Sequence, residues 1–311
     1  MNILSNINSL ALNNPKELID KAEQNYNTEI NSIFNQITAN PNYKIVLLAG
    51  PSGSGKTTTA HILKTKLDAA NIKAEVVSLD HFFLSGDKMP KQENGEPDFE
   101  SVYSLDVPEI HKCLGELITF GKTTIPIFSF QTKSREEQGH LIDISKGGIL
   151  IVEGLHALNP VLTDKLNSEN LFKIYISVNC SVVDDNGNKL LSSRQMRLIR
   201  RMSRDYIYRN TSAVDTLKLW TAVVNGEEKY LYPFKEKADV LLKTYHCYEP
   251  CIFKKIILNL LRDLPTTAEN YNYIMMAKNS LEKFVALDTE LVPNSSLIRE
   301  FLPGGDFEGA K

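Results

Sequence analysis

The sequence predicts an α/β protein: a five-stranded parallel sheet flanked by helices, with a helical lid and a small β-hairpin subdomain. Three observations carry that expectation. Five short apolar runs, at 45–49, 74–79, 148–152, 171–178 and 238–242, are too continuous for half-exposed strands and suit strands buried on both faces. Helical patterns lie between them, as parallel crossovers require. The first run opens directly onto Gly50-Pro51-Ser52-Gly53-Ser54-Gly55-Lys56-Thr57, which has a glycine, four residues, then Gly-Lys-Thr, in the strand-to-helix context that a phosphate-binding loop needs.

The loop has a physical logic. Its glycines let the backbone turn tightly and bring N–H groups up to phosphate oxygens. The helix that follows adds its positive end. Lys56 is placed to reach the outer phosphates and the Thr57 hydroxyl to ligate Mg²⁺, so the expected cofactors are ATP and Mg²⁺ on a P-loop NTPase-type fold. The binding set runs through Gly50, Pro51, Ser52, Gly53, Ser54, Gly55, Lys56, Thr57 and Thr58.

Composition bounds what else the chain can be. Its 311 residues suffice for one large α/β domain with appendages. Lys and Arg total 35 against 38 Asp and Glu, net charge −3, so nothing global points to nucleic acid or an anionic membrane, and any basic site must be local. Four cysteines make no disulfide scaffold and suggest a reducing compartment. The first residues lack the basic start and apolar core of a signal peptide, and no run approaches the length of a membrane span, so a cytoplasmic protein is expected. His246, Cys247 and Cys251 raise a metal site, but a second cysteine pair at suitable spacing is missing and ordinary packing is favoured.

In chain order, residues 1–13 are Asn-rich, aperiodic and expected to be loosely ordered. From Pro15, with Asn14 as N-cap, Leu18, Ala22, Tyr26, Ile30, Ile33, Phe34 and Ile37 recur at helical spacing up to Asn40-Pro41, an amphipathic helix expected to pack on the nucleotide domain. The second strand ends at Asp80, and function in open parallel sheets collects just beyond strand C-termini. Residues 81–97 carry Gly, Pro and charge without apolar period, as a functional lid or excursion would. Ile110, Leu114, Leu117 and Ile118 mark another helix, ending at Gly121. Short β-like pieces around Pro126 follow. The third strand ends in Glu153, the shape of an element whose carboxylate meets Mg²⁺. Arg194, Arg197, Arg201 and Arg204 then recur three or four apart, so a helix holds them on one face, and a phosphate clamp is expected. Beyond Glu249 the pattern Ile252, Ile256, Leu260, Tyr273, Met276, Leu281, Val285 is helical, read as cover for the sheet and lid base without chemistry. The expected domains are therefore 1–43, a tail and amphipathic helix; 44–262, the nucleotide domain with its lid at about 190–211; and 263–311, a helical extension.

Together, the phosphate loop, Leu79-Asp80-His81-Phe82-Phe83, Ile125-Pro126-Ile127-Phe128-Ser129-Phe130, Val152-Glu153-Gly154-Leu155-His156-Ala157-Leu158 and the Arg-rich segment resemble the uridine kinase and phosphoribulokinase family over residues 44 to about 260. The continuation Gly226-Glu227-Glu228-Lys229-Tyr230-Leu231-Tyr232-Pro233-Phe234 is most similar to a bacterial uridine kinase branch, whose members often carry extra N-terminal domains; residues 1–43 are too few to form these. The resemblance implies phosphoryl transfer to the 5′-hydroxyl of a nucleoside. It implies that Asp80 accepts the hydroxyl proton or organises Mg²⁺ with Thr57 and Glu153, that Glu100 and Arg201 bind ribose, that Arg204 and Arg209 close over the triphosphate, and that Phe128 borders the base. Lys133 stands where pyrimidine-nucleoside kinases commonly carry a base-reading His, which counts against uridine or cytidine because Lys only donates. Asn210 stands where Gly is frequent, a milder departure because Asn tolerates left-handed backbone.

The implied partner is a small-molecule acceptor, with homo-oligomerisation left open and neither nucleic acid nor membrane expected. Two rivals stand beside this reading: a kinase of the same family acting on another alcohol or sugar phosphate, and a nucleotide-binding switch without catalysis. A GTP-reading switch would want Asn-Lys-x-Asp, which the sequence lacks.

Overall fold

Alternate residues of the central strands bury into two different cores, and the molecule is layered around that division. The structure, a computed structural model, describes residues 2–92, 95–129 and 132–307. The chain begins with β1 (Asn2–Ile3), α1 (Leu4–Asn13) and α2 (Pro15–Ala39), then β2 (Ile45–Ala49), α3 (Lys56–Ala69) and β3 (Ala74–Ser78). After α4 (Val107–Phe120) come the small strands β4 (Lys122–Ile125), β5 (Phe128–Ser129), β6 (Ser134–Arg135) and β7 (His140–Asp143). Next are β8 (Ile149–Glu153), the single turn α5 (Pro160–Thr163), β9 (Leu171–Ser177), β10 (Val182–Val183) and β11 (Lys189–Leu191). The arginine helix α6 (Ser193–Arg209), α7 (Ala213–Tyr230), β12 (Val240–Lys243), α8 (Glu249–Leu260) and α9 (Tyr271–Leu281) complete the chain.

The main sheet has five strands in the order β12-β9-β2-β8-β3, every neighbouring pair parallel. β2 lies at its centre, so the phosphate loop leaves the sheet between β8 and β9. On one face Val46, Leu48 and Ile151 meet α1, α2, α3, α6, α8 and the C-terminal segment. On the other, Ile45, Leu47 and Val152 meet α4, Phe82, Phe83 and the antiparallel pairs β4–β7 and β5–β6. Those pairs form the expected small β subdomain; Phe130 of its motif lies outside the described residues. Among the described residues no helix is long and apolar enough to cross a membrane.

Three expectations need correction. Residues 4–13 form a helix rather than a loose tail, because Ile7 and Ala11 bury into the core while Asn8 bonds the backbone at both Lys283 and Val285. Tertiary contacts here override a weak local preference. In α9 the buried face is Ile274, Ala277 and Leu281, leaving Met276 63% exposed. The second strand stops at Ser78, whose hydroxyl accepts from the Asp80 N–H and starts a 3₁₀ turn over Leu79–Phe82.

Candidate active site

The phosphate loop is held from outside by buried side chains. Gly53 and Gly55 take φ of +73° and +88°, conformations that L-residues rarely adopt, and at Gly53 a Cβ would come within 2.7 Å of the Arg197 carbonyl. Arg197 donates to the Ser52 carbonyl at 2.9 Å, Arg200 to the Gly53 carbonyl at 3.3 Å, and the Thr244 hydroxyl to the Ser54 carbonyl at 2.7 Å. The loop's carbonyls are thus engaged from behind. Glu227, fully buried, takes Arg197 bidentately at 2.6 and 2.8 Å and accepts the Ser52 N–H at 2.9 Å. Arg200 and Glu249 form a second buried bidentate pair at 2.6 and 2.7 Å.

These contacts divide the arginine helix. Arg194 pairs with Glu228 at the surface, and Arg197 and Arg200 are structural braces, so Arg194 and Arg197 do not join a phosphate clamp as their spacing predicts. The remaining three gather on one carboxylate: Asp205 lies 3.2 Å from Arg201, 3.1 Å from Arg204 and 3.3 Å from Arg209. Three guanidinium groups thus share one buried acid, and Arg204 also lies 3.9 Å from Glu300. Arg204 pushes the Arg209 guanidinium down to about 10, which keeps it charged at neutral pH. Arg201 also donates to the Ser52 hydroxyl at 2.9 Å. Asn210 caps α6 with φ +48°, the backbone its side chain tolerates.

Strand ends deliver the acids. The buried Glu153 accepts from the Thr57 hydroxyl at 3.4 Å, and desolvation pushes its pKa up to about 7 against the pull of Lys56. Asp80 opens to solvent with Lys56, Arg209, His81 and Arg204 as its cationic neighbours. The surrounding packing raises its pKa and these charges lower it; solvent access weakens the first influence. Glu100, desolvated to a pKa of about 7, has Arg201 as its cationic neighbour and Glu227, Asp80 and Lys56 as further electrostatic partners. It is held closely by α7, where a Cβ on Gly226 would meet the Glu100 Cβ at 2.4 Å. Lys56, Asp80, Glu100, Glu153, Arg201, Arg204 and Arg209 are therefore electrostatic neighbours, with Thr57 bonded to Glu153.

Two residues stand apart. Phe128 is 6% exposed and packs on Phe83 with ring centres 5.6 Å apart, inside the core on the β4–β7 side of the sheet. Lys133 is exposed on the turn joining β5 to β6, with φ +52°. Hard oxygen ligands at Thr57, Glu153 and Asp80 suit Mg²⁺, which retains water and substrate phosphate rather than requiring a protein cage. Among the described residues no group of three acids, histidines or cysteines forms such a cage. His246 is instead buried between Tyr26 and Tyr248, its pKa lowered to about 4 by desolvation.

Sequence reasoning missed Glu227, the gathering role of Asp205, and Glu300. Glu300, in the segment expected to carry no chemistry, accepts from the Thr58 N–H at 3.2 Å and lies 3.9 Å from Arg204. Nothing in its local pattern distinguishes it, because its contacts are with residues far away along the chain.

A family model described as the phosphoribulokinase / uridine kinase family matches residues 45–249. A uridine kinase of Ureaplasma parvum is 26% identical over 197 residues, covering 63% of this chain and 86% of its own. One of Schizosaccharomyces pombe is 28% identical over 201 residues, covering 61% and 39%. The phosphoribulokinase structure from Rhodobacter spheroides aligns with 65% of this chain and 70% of its own, at TM-score 0.43 and 16% identity. The matched span contains the loop, both strand-end acids and the arginine helix, and on that match the chain belongs to the phosphoribulokinase / uridine kinase family.

Proposed function

We propose that this protein transfers the γ-phosphoryl group of ATP to the 5′-hydroxyl of a nucleoside. The observation that carries the reading is the convergence of Lys56 with Asp80, Glu100 and Glu153 beside the loop. Named relatives that are uridine kinases support the choice of acceptor class. Phosphoryl transfer asks an enzyme chiefly for in-line positioning and charge neutralisation.

Each residue has a task in that chemistry. The loop amides and the start of α3 would bind the phosphates. Lys56, which donates to the Pro51 carbonyl at 3.3 Å, would swing onto the outer phosphates. Thr57, Glu153 and Asp80 would hold Mg²⁺, which when bound neutralises charge on the β- and γ-oxygens. Asp80 would take the proton of the attacking hydroxyl. Glu100, near Arg201, would accept hydrogen bonds from ribose hydroxyls, and Arg204 and Arg209 would cover the transferring group and exclude water.

A second reading, a kinase for another small alcohol or a sugar phosphate, is favoured by one observation. Lys133 sits on an exposed turn and offers only donors. ADP release from Mg·ATP across a panel of nucleosides and sugar phosphates separates the two. Stimulation by nucleosides is expected; stimulation by sugar phosphates alone would replace the nucleoside as acceptor, and no stimulation by any acceptor would remove the kinase reading.

A further inference from the structure

The C-terminal segment after α9 returns to the phosphate loop. Its 3₁₀ turn, Leu297–Phe301, is buried along its length between the start of α3 and the middle of α6. Leu297 covers the loop so closely that a Cβ on Gly55 would stand 2.7 Å from its Cδ1. The turn is fastened to α6: the Ser203 hydroxyl donates to the Phe301 carbonyl at 2.7 Å, Tyr208 donates to the Leu302 carbonyl, and Arg200 stacks over the Phe301 ring at 5.1 Å. This fastening aims Glu300, 5% exposed, at the Thr58 N–H and Arg204.

Both groups belong to the donor site as read above. The Thr58 N–H is one of the amides at the start of α3 without an intrahelical partner, where a phosphate-binding loop cradles the α- and β-phosphates. Arg204 is one of the cations that would cover them. A carboxylate on this amide and guanidinium does what a phosphate oxygen would do: it satisfies the donor and meets the positive helix end. It also adds to the negative charge around Glu153. A triphosphate brings several more negative charges into the same space, and the two anions cannot share one N–H.

We propose that Glu300 is an internal occupant of the donor-phosphate seat, held there by the C-terminal segment until a nucleoside triphosphate displaces it. The proposal rests on the kinase reading of the loop. The segment is fastened to α6 through Ser203 and Tyr208 and to α3 through the Glu300 contact with the Thr58 N–H, so a phosphate that takes that amide leaves the carboxylate with the arginine helix. Nucleotide binding and withdrawal of Glu300 are then one event.

The test is the affinity of the full-length protein for Mg·ATP and for inorganic pyrophosphate, in the wild type, Glu300→Gln and Glu300→Ala. Removing a charged competitor for one amide should tighten both ligands about tenfold or more, the range of a charge-assisted hydrogen bond. Glu300→Gln retains the size and an acceptor oxygen, so tightening in that variant identifies the charge as the competitor. A role confined to stability would leave affinity equal or weaker in both variants, and that result overturns the proposal. Wild-type binding of ATP that depends on Lys56, with no gain in either variant, overturns this proposal while sparing the kinase reading. Failure of all three proteins to bind either ligand overturns both.

Discussion

Asp80→Asn is expected to slow phosphoryl transfer by about a hundred- to ten-thousandfold at saturating Mg·ATP, the range of a lost general base. The amide preserves shape and one acceptor oxygen but cannot take the hydroxyl proton. Lys56, Arg209 and Arg204 beside Asp80 favour its charged form, the state that accepts a proton. Rapid-quench turnover with saturating acceptor reads the chemical step directly. A rate close to wild type would remove Asp80 from the role of base.

The second large effect is on stability. Arg200 and Glu249 are both fully buried, and Glu249 also accepts the His246 N–H at 2.6 Å. Glu249→Ala strands a guanidinium without its counter-ion inside the protein, which costs about 3–5 kcal/mol when one partner of such a pair is removed. Chemical denaturation should show that loss as a lower midpoint at unchanged slope. Because Arg200 also donates to the Gly53 carbonyl and stacks on Phe301, the phosphate loop and the Glu300 turn should loosen with it. A midpoint within experimental error of wild type would mean that this pair does not brace the loop.

The parts of the site that could be read in advance are those written locally. A glycine loop between an apolar strand and a helix needs contiguous residues, and so does an acid at the end of a buried run; Lys56, Thr57 and Glu153 therefore come together as their positions suggest. Asn14 is similarly legible as a cap, its side chain accepting from the Glu17 N–H. The arginine spacing was readable but its division of labour was not. Whether a guanidinium faces ligand or braces the loop depends on Glu227, Glu228 and Glu249, acids that lie on other helices. Glu300 is the extreme case, 242 residues from the amide it meets. α1 did carry a local signal, since Leu4, Ile7, Leu10 and Ala11 recur three or four apart among its polar residues and face the core.

The central claim is that the loop built around Lys56 binds a triphosphate together with a divalent cation. Calorimetric titration of the wild-type protein with Mg·ATP tests it most directly. One saturable site is expected, weakened about tenfold or more in Lys56→Ala by loss of a charge-assisted contact; absence of binding in the wild type, or equal affinity in the variant, would contradict it.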